Sequence, residues 1–249
     1  MKPKKITQGD QVIKAINQLR GIATLLDLYK KTNTSTWGTL TPRATIRQIA
    51  QKNKRIYKIK RGLYCLNEQR GFFQEKYDES SNVPKKQICN HSYYQGLLLD
   101  IGKRRGYKTY VPKSDCNQEF LARPKGSGKT LGKLASFNKP IEFGYKKIMK
   151  DACTVDVIYF NKRNMPCEFY EVEMTRNIDR SLNKFHELQD FYAKFYIVGP
   201  KKLKKNFTTK ISGSMYDPIR KRVKFMTTEK IVRDIEKAIK DMGEMIYVK

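Results

Sequence analysis

Two stretches, Cys153-Thr-Val-Asp-Val-Ile-Tyr-Phe160 and Cys167-Glu-Phe-Tyr-Glu-Val-Glu-Met-Thr175, decide how this chain folds. Both are rich in β-branched and aromatic residues and read as buried strands. Asn161-Lys-Arg-Asn-Met-Pro166 between them is a turn cluster, which joins the two strands into a hairpin. Side chains alternate across a strand, so Glu171 and Glu173 point to one face, roughly 6–7 Å apart. Asp156 on the paired strand reaches the same face. Three carboxylates in an otherwise apolar hairpin repel one another and resist burial. A divalent cation relieves that cost. Mg²⁺ takes hard oxygen ligands and keeps water positions open, and such a site activates water against a phosphodiester. The same three acids also suit the solvent-facing side of an ordinary hairpin, with no metal at all.

Charge points to the partner. The chain has 249 residues, with 52 Lys and Arg against 24 Asp and Glu, a net +28. That excess calls for a polyanion, with nucleic acid ahead of an anionic membrane. No stretch approaches the ~18–20 consecutive apolar residues of a membrane span. The N-terminus, Met1-Lys-Pro-Lys-Lys-Ile-Thr7, lacks the apolar run of a signal peptide, so a cytoplasmic location is expected. An apolar fraction of 39% suffices for a core. The five cysteines show no CxxC spacing, and Cys153 and Cys167 read as reduced thiols in apolar strands. His91 and His186 form no catalytic pair and read as surface or helix-edge residues.

Residues 1–70 read as a compact unit. Thr7-Gln-Gly-Asp10 precedes a helical stripe of Val12, Ile13, Ile16 and Leu19. Ala23 to Tyr29 gives a second, short helix. Thr41 followed by Pro42 caps a third, Pro42 to Lys52. Arg55 to Ile59 and Gly62 to Leu66 then alternate as two strands around Lys60-Arg-Gly62. Three helices followed by a hairpin is the order of a winged helix. Leu28-Tyr29, Trp37-Gly-Thr-Leu-Thr-Pro-Arg-Ala-Thr-Ile46 and Arg55-Ile-Tyr-Lys-Ile-Lys-Arg-Gly-Leu-Tyr64 resemble the HARE-type helix-turn-helix module of bacterial restriction enzymes and chromatin proteins. This unit holds 16 Lys and Arg against 3 Asp and Glu, a net +13. Arg43, Arg47 and Gln48 on the third helix are the candidates for base edges. Lys58, Lys60 and Arg61 on the wing are the candidates for backbone contact.

Residues 71–89 read as a linker, and 90–249 as a second domain. There, a helix from His91 closed by Gly106, a short strand at Tyr107, a polar loop from Asp115 to Lys139 and the acidic hairpin follow in turn. Next come a helix from Asn177 to Tyr192, a buried strand from Lys194 to Gly199, an edge strand from Arg222 to Met226 and a terminal helix from Thr228. Asp-x14-Glu-x-Glu, with Asp156, Glu171 and Glu173, resembles the metal-binding core of the PD-(D/E)XK nuclease superfamily. Glu173 stands where that superfamily usually has lysine, as it does in some of its restriction endonucleases. Tyr93-Tyr-Gln-Gly-Leu-Leu-Leu-Asp-Ile-Gly-Lys103 resembles the opening helix of such enzymes, with Gln95 where several have a metal-arranging Glu. The resemblance also makes Lys184 a candidate for the missing lysine.

Arg176, Arg180 and Lys184 recur every four residues and line one helical face. They suit either solvent or a phosphate backbone. Gly126-Ser-Gly-Lys-Thr130 lacks the first glycine of a phosphate loop, which would fall at Arg123, and follows no strand. The expected fold is therefore α/β (α+β), a winged helix-turn-helix followed by a PD-(D/E)XK mixed-sheet core. The expected activity is Mg²⁺-dependent, sequence-specific endonuclease action of restriction type on double-stranded DNA. Asp156, Glu171 and Glu173 would be the ligands, no membrane partner is expected, and a homodimer is admitted. The alternative is a non-catalytic DNA-binding regulator with a relic nuclease fold.

Overall fold

A computed structural model describes residues 6–77, 84–123, 128–137, 145–175 and 177–244. Helix α1 (Gln8–Gln18) starts at Thr7, whose hydroxyl accepts from the Asp10 backbone N–H while the Asp10 carboxylate accepts from Thr7 N–H. Gly21, at φ +88°, then turns the chain into β1 (Ile22–Thr24). Ala23 and Thr24 were expected to open a helix. All three residues of β1 are buried and pair with β3 instead, and α2 (Leu25–Lys31) begins only after a second reciprocal cap, Thr24 with Asp27.

Helix α3 (Pro42–Lys52) has the expected bounds, with proline in its first turn, although the Thr41 side chain makes no cap bond. Strands β2 (Ile56–Lys60) and β3 (Leu63–Leu66) complete an antiparallel sheet in the order β1-β3-β2. Val12, Ile16, Leu28, Trp37, Ile46 and Tyr64 form the core between helices and sheet.

The stretch expected to be a linker carries α4 (Arg70–Lys76), with Phe73 fully buried. The long α5 (Pro84–Arg104) starts ahead of its expected position and ends at Gly106, at φ +80°. Then come β4 (Lys108–Tyr110), α6 (Leu131–Leu134), α7 (Lys146–Ala152), β5 (Val157–Phe160) and β6 (Pro166–Val172). They are followed by α8 (Ile178–Glu187), β7 (Lys194–Gly199), α9 (Lys204–Ile211), α10 (Asp217–Arg220), β8 (Val223–Thr227) and α11 (Thr228–Glu244). Helix α8 is shorter than expected. The polar stretch 115–139 is more than loop, because Leu121 and Leu131 in it are buried.

The five strands lie in the order β4-β5-β6-β7-β8, antiparallel across β4-β5-β6 and parallel across β6-β7-β8. This is a mixed sheet, and the fold is α/β. Alternation along β6 sends Phe169 to one face, against Phe195, and Tyr170 to the other, against Tyr159. Helices α5 and α11 share a core with the Tyr170 face; α8 and α9 share one with the Phe169 face. Among the described residues no helix is long and apolar enough to cross a membrane.

The first sheet is docked on helices α5 and α11, which pack on the second sheet. Ile22, Leu63 and Cys65 share a core with Tyr93, Leu97 and Val232. Gly62, at φ +77°, turns β2 into β3, and a Cβ there would sit 2.9 Å from Val232 Cγ1. Lys60 extends its ammonium to Asn90 Oδ1 and lies 5.3–5.7 Å from the ring centres of Tyr77, Tyr93 and Tyr94. Glu236 on α11 accepts from both Arg47 and Arg61, each at 2.8 Å. Burial opposes the Glu236 charge, but the two guanidiniums outweigh it and hold the carboxyl below the usual glutamate range.

That pairing has a pH signature. A carboxyl whose pKa is depressed on folding stabilises fully above its unfolded value and loses that contribution as pH falls through the folded one. Glu236→Ala is expected to cost about 1 kcal/mol at neutral pH. In urea unfolding the deficit should vanish in acid, below the ordinary glutamate range. A deficit unchanged by acid would show that Glu236 acts through packing alone.

Candidate metal and catalytic site

The antiparallel hairpin β5–β6 forms between the two stretches, although Cys153 to Asp156 precede β5 instead of lying in it, and it brings Asp156 to the entry of β5 and Glu171 and Glu173 to the exit of β6. Asp156 and Glu171 are 8% and 4% exposed. Asp156 Oδ2 accepts from the Val172 backbone N–H at 2.7 Å, which fastens it across the hairpin. Ser181 on α8 lies within hydrogen-bond reach of both Glu171 and Glu173. Lys184, one turn further on, donates to both Glu171 oxygens at 2.8 and 2.9 Å, and to Thr154 O at 2.9 Å.

Gln95 is fully buried on α5 beneath these groups. Its amide nitrogen donates to Asp115 Oδ2 at 2.7 Å and to Asp156 O at 3.3 Å. Its amide oxygen meets His91 Nδ1 at 3.1 Å, and His91 Nε2 meets Asp156 Oδ2 at 3.0 Å. The expectation of a surface or helix-edge role for His91 is therefore corrected: His91 is part-buried and paired with Asp156. His91, Asp115 and Ser181 are site residues that sequence reasoning missed. His91 precedes Gln95 by four residues, a spacing that puts both on one helical face. Ser181 precedes Lys184 by three. No spacing announces Asp115, which arrives on the loop after β4.

His91, Asp115, Asp156, Glu171, Glu173 and Lys184 line an open groove of about 780 Å³, with Lys113 and Arg180 also along it. Arg176 lies outside the described residues. In the first sheet's unit, Gln48 and Lys58 are exposed. Arg43 lies 6.0 Å from the ring centre of Tyr29. Arg47, Lys60 and Arg61 face the second unit, in the contacts described above.

The electrostatics follow from crowding. Burial and then the neighbouring Asp156 charge push Glu171 up to about 8, against the pull of Lys184. Burial also raises Glu173, with Ser181 opposing. Burial would raise Asp156 too, but His91 and the Val172 N–H outweigh it and hold the carboxyl low. Burial opposes a charged His91, yet Asp156, with Asp115 and Glu171 behind it, raises the ring to about 9. A set of hard carboxylate oxygens, one of them pushed towards its neutral form by burial and then by Asp156, suits a divalent cation.

Glu171 binds its proton more tightly in the folded chain than in the unfolded one. Folding stability should therefore fall as pH rises from the ordinary glutamate range towards 8. Metal-free Glu171→Gln removes that charge, and its thermal midpoint should exceed the parent's at about pH 8 and converge with it near about pH 5. A lower midpoint for the variant at the higher pH would overturn this account of the burial.

No match was found among curated proteins or among solved structures. Residues 73–243 match a family described as the type II restriction enzyme NmeDI C-terminal domain. The matched segment runs from α4 into α11 and contains the whole five-stranded sheet together with Asp156, Glu171, Glu173 and Lys184. It spans well over half of the chain, which therefore belongs to the family of the NmeDI restriction enzyme C-terminal domain.

Proposed function

We propose that this chain is a restriction-type endonuclease that hydrolyses double-stranded DNA with a divalent cation, Mg²⁺ in the first instance. The observation that carries the reading is the convergence of Asp156, Glu171, Glu173 and Lys184 on one groove, inside a segment that belongs to a restriction-enzyme family. The mixed β4–β8 sheet with helices on both faces, and acids at the exit of its second hairpin strand, supports a PD-(D/E)XK-type core. The three-helix unit with its β2–β3 hairpin supports a winged-helix module in residues 1–70, followed by a nuclease domain from about residue 90.

Asp156, Glu171 and Glu173 would hold the cation, which when bound supplies positive charge for the scissile phosphate and acidifies a water. The protein's own groups do the rest. Lys184 keeps Glu171 aligned through two hydrogen bonds and would supply the positive charge expected of the lysine missing at position 173. Glu173, raised by burial, is suited to accept a proton from the attacking water. Lys113 and Arg180, on the groove, would grip the flanking phosphates. In-line attack on phosphorus would leave a 5′-phosphate.

Plasmid cleavage with Mg²⁺ tests this directly. Asp156→Asn and Glu171→Gln should each reduce cutting to background while DNA binding persists. Lys184→Ala should lower the rate by about 10²–10⁴-fold. Glu173→Lys should also lower it, through loss of a ligand. Parent-level cutting by Asp156→Asn would sink the proposal.

For sequence reading, the proposal falls on Arg43 and Gln48 of α3, with Lys58 as a backbone contact. Arg47, Lys60 and Arg61 instead hold the module in place. Arg43→Ala and Gln48→Ala should each cost roughly 1–3 kcal/mol of discrimination at one base position. Lys58→Ala should weaken all sites alike. Cleavage of a randomised-site library reads both, and an unchanged site preference in both α3 variants would remove α3 from recognition.

A further inference from the structure

The hydrogen bonds around Gln95 organise a second group of donor atoms beside the carboxylate trio. Gln95 is fully buried, and its amide nitrogen faces two acceptors, Asp115 Oδ2 and Asp156 O. Those acceptors decide which way the amide points, because only its nitrogen can donate to them. Its oxygen is then left to His91 Nδ1, so Nδ1 must carry the proton that is donated to Gln95. The other ring nitrogen, Nε2, faces the Asp156 carboxylate at 3.0 Å. A lone pair on Nε2 cannot bond to a carboxylate lone pair. The geometry requires an electron-pair acceptor between them, either a proton or a metal ion.

A buried amide that fixes the far nitrogen of a histidine is the support that ligating histidines characteristically have. Asp115 is also braced, since Gln118 Nε2 donates to its Oδ1 at 3.0 Å and Ser92 donates to Gln118 in turn. One donor atom from each of His91, Asp115 and Asp156 lies within 4.8 Å of the others, which suits metal bonds of about 2.0–2.2 Å after a small inward shift. His91, Asp115 and Asp156 all line the groove, so an ion can enter from solvent.

We propose that His91, Asp115 and Asp156 form a second divalent-cation site, sharing Asp156 with the carboxylate trio and taking a first-row transition ion such as Mn²⁺ in preference to Mg²⁺. The imidazole sets that preference, because Mg²⁺ favours oxygen ligands while transition ions accept nitrogen. Charge is consistent with two ions. Asp115, Asp156, Glu171 and Glu173 supply four negative charges to two divalent cations, and His91 ligates as a neutral ring. The inference rests on the nuclease reading for its biological use but not for its measurement.

The test uses the full chain without DNA. Mn²⁺ titration followed by electron paramagnetic resonance counts bound ions, and pulsed measurements on the parent protein detect nitrogen coupled to Mn²⁺. Two ions per chain and a nitrogen coupling are expected. His91→Ala and Asp115→Asn should each weaken one Mn²⁺ by at least about 10-fold, and His91→Ala should erase the coupling. Mg²⁺ affinity should change far less in His91→Ala. The nitrogen coupling is read on the parent chain, so it stands even if a variant folds poorly. A single bound ion with no nitrogen coupling would overturn the second site, and Mg²⁺-dependent plasmid cleavage in that same preparation would leave the nuclease reading standing. Absence of both cation binding and cleavage would overturn the two together.

Discussion

Lys184 and Glu171 meet at 2.8 Å where neither is well hydrated, 15% and 5% exposed at their side chains. Removing Lys184 alone would take away the cation that favours the charged form of a buried carboxyl, whereas the ammonium keeps Thr154 O as a second acceptor. The pair also sets the geometry around it. Glu171 can hold its position at the exit of β6 only because α8 returns across the sheet and delivers Ser181 and Lys184 to it. That return requires Ile178, Leu182 and Phe185 to bury themselves on the Phe169 face. The apolar stripe of α8 and its polar turn therefore serve one end: the stripe docks the helix, and the docking places the ammonium.

Helix α5 plays the corresponding part on the other face. Asn90 receives the ammonium of Lys60 from the first sheet. The next residue, His91, touches Asp156, and Gln95 braces both His91 and Asp115. One helix thus contacts the N-terminal unit and the acidic site within two turns. Tyr93 and Tyr94, between these contacts, face the aromatic core rather than the groove.

Much of this was legible in the sequence, and for physical reasons. Richness in β-branched and aromatic residues over 153–160 and 167–175, with a turn cluster between them, placed the hairpin and, with it, the carboxylates. A repeat of four placed Arg180 and Lys184 on one face of α8. Helix α3 was legible to its last residue because Pro42 marks its start. Strand β1 was not, because three residues carry no period and only pairing with β3 makes them a strand. Helices α7 and α9 were not read either. Asp115 was hidden because loop residues gain their neighbours from tertiary structure. His91 had a partial signal, its spacing from Gln95, but its real partner lies 65 residues away. The basic residues follow the same logic: Arg61, a candidate for backbone contact, also pairs with Glu236, and no sequence spacing announces a partner 175 residues distant.

The seating of Lys60 among Tyr77, Tyr93 and Tyr94 bears on how a chain of this kind could exchange its N-terminal unit in evolution or by engineering. A helix-turn-helix unit joined by a slack tether could be swapped freely, since nothing beyond the tether would notice. Here the hairpin tip is keyed: Gly62 leaves room for Val232, Lys60 fills an aromatic recess, and Arg47 and Arg61 share one acid on α11. A transplanted unit would have to bring a glycine at the tip, a long cation before it and two guanidiniums, or the host surface would have to change with it. On the proposed reading, specificity in this architecture is inherited with its socket, and new target sites are reached more readily by substitutions on the outer face of α3 than by shuffling whole domains.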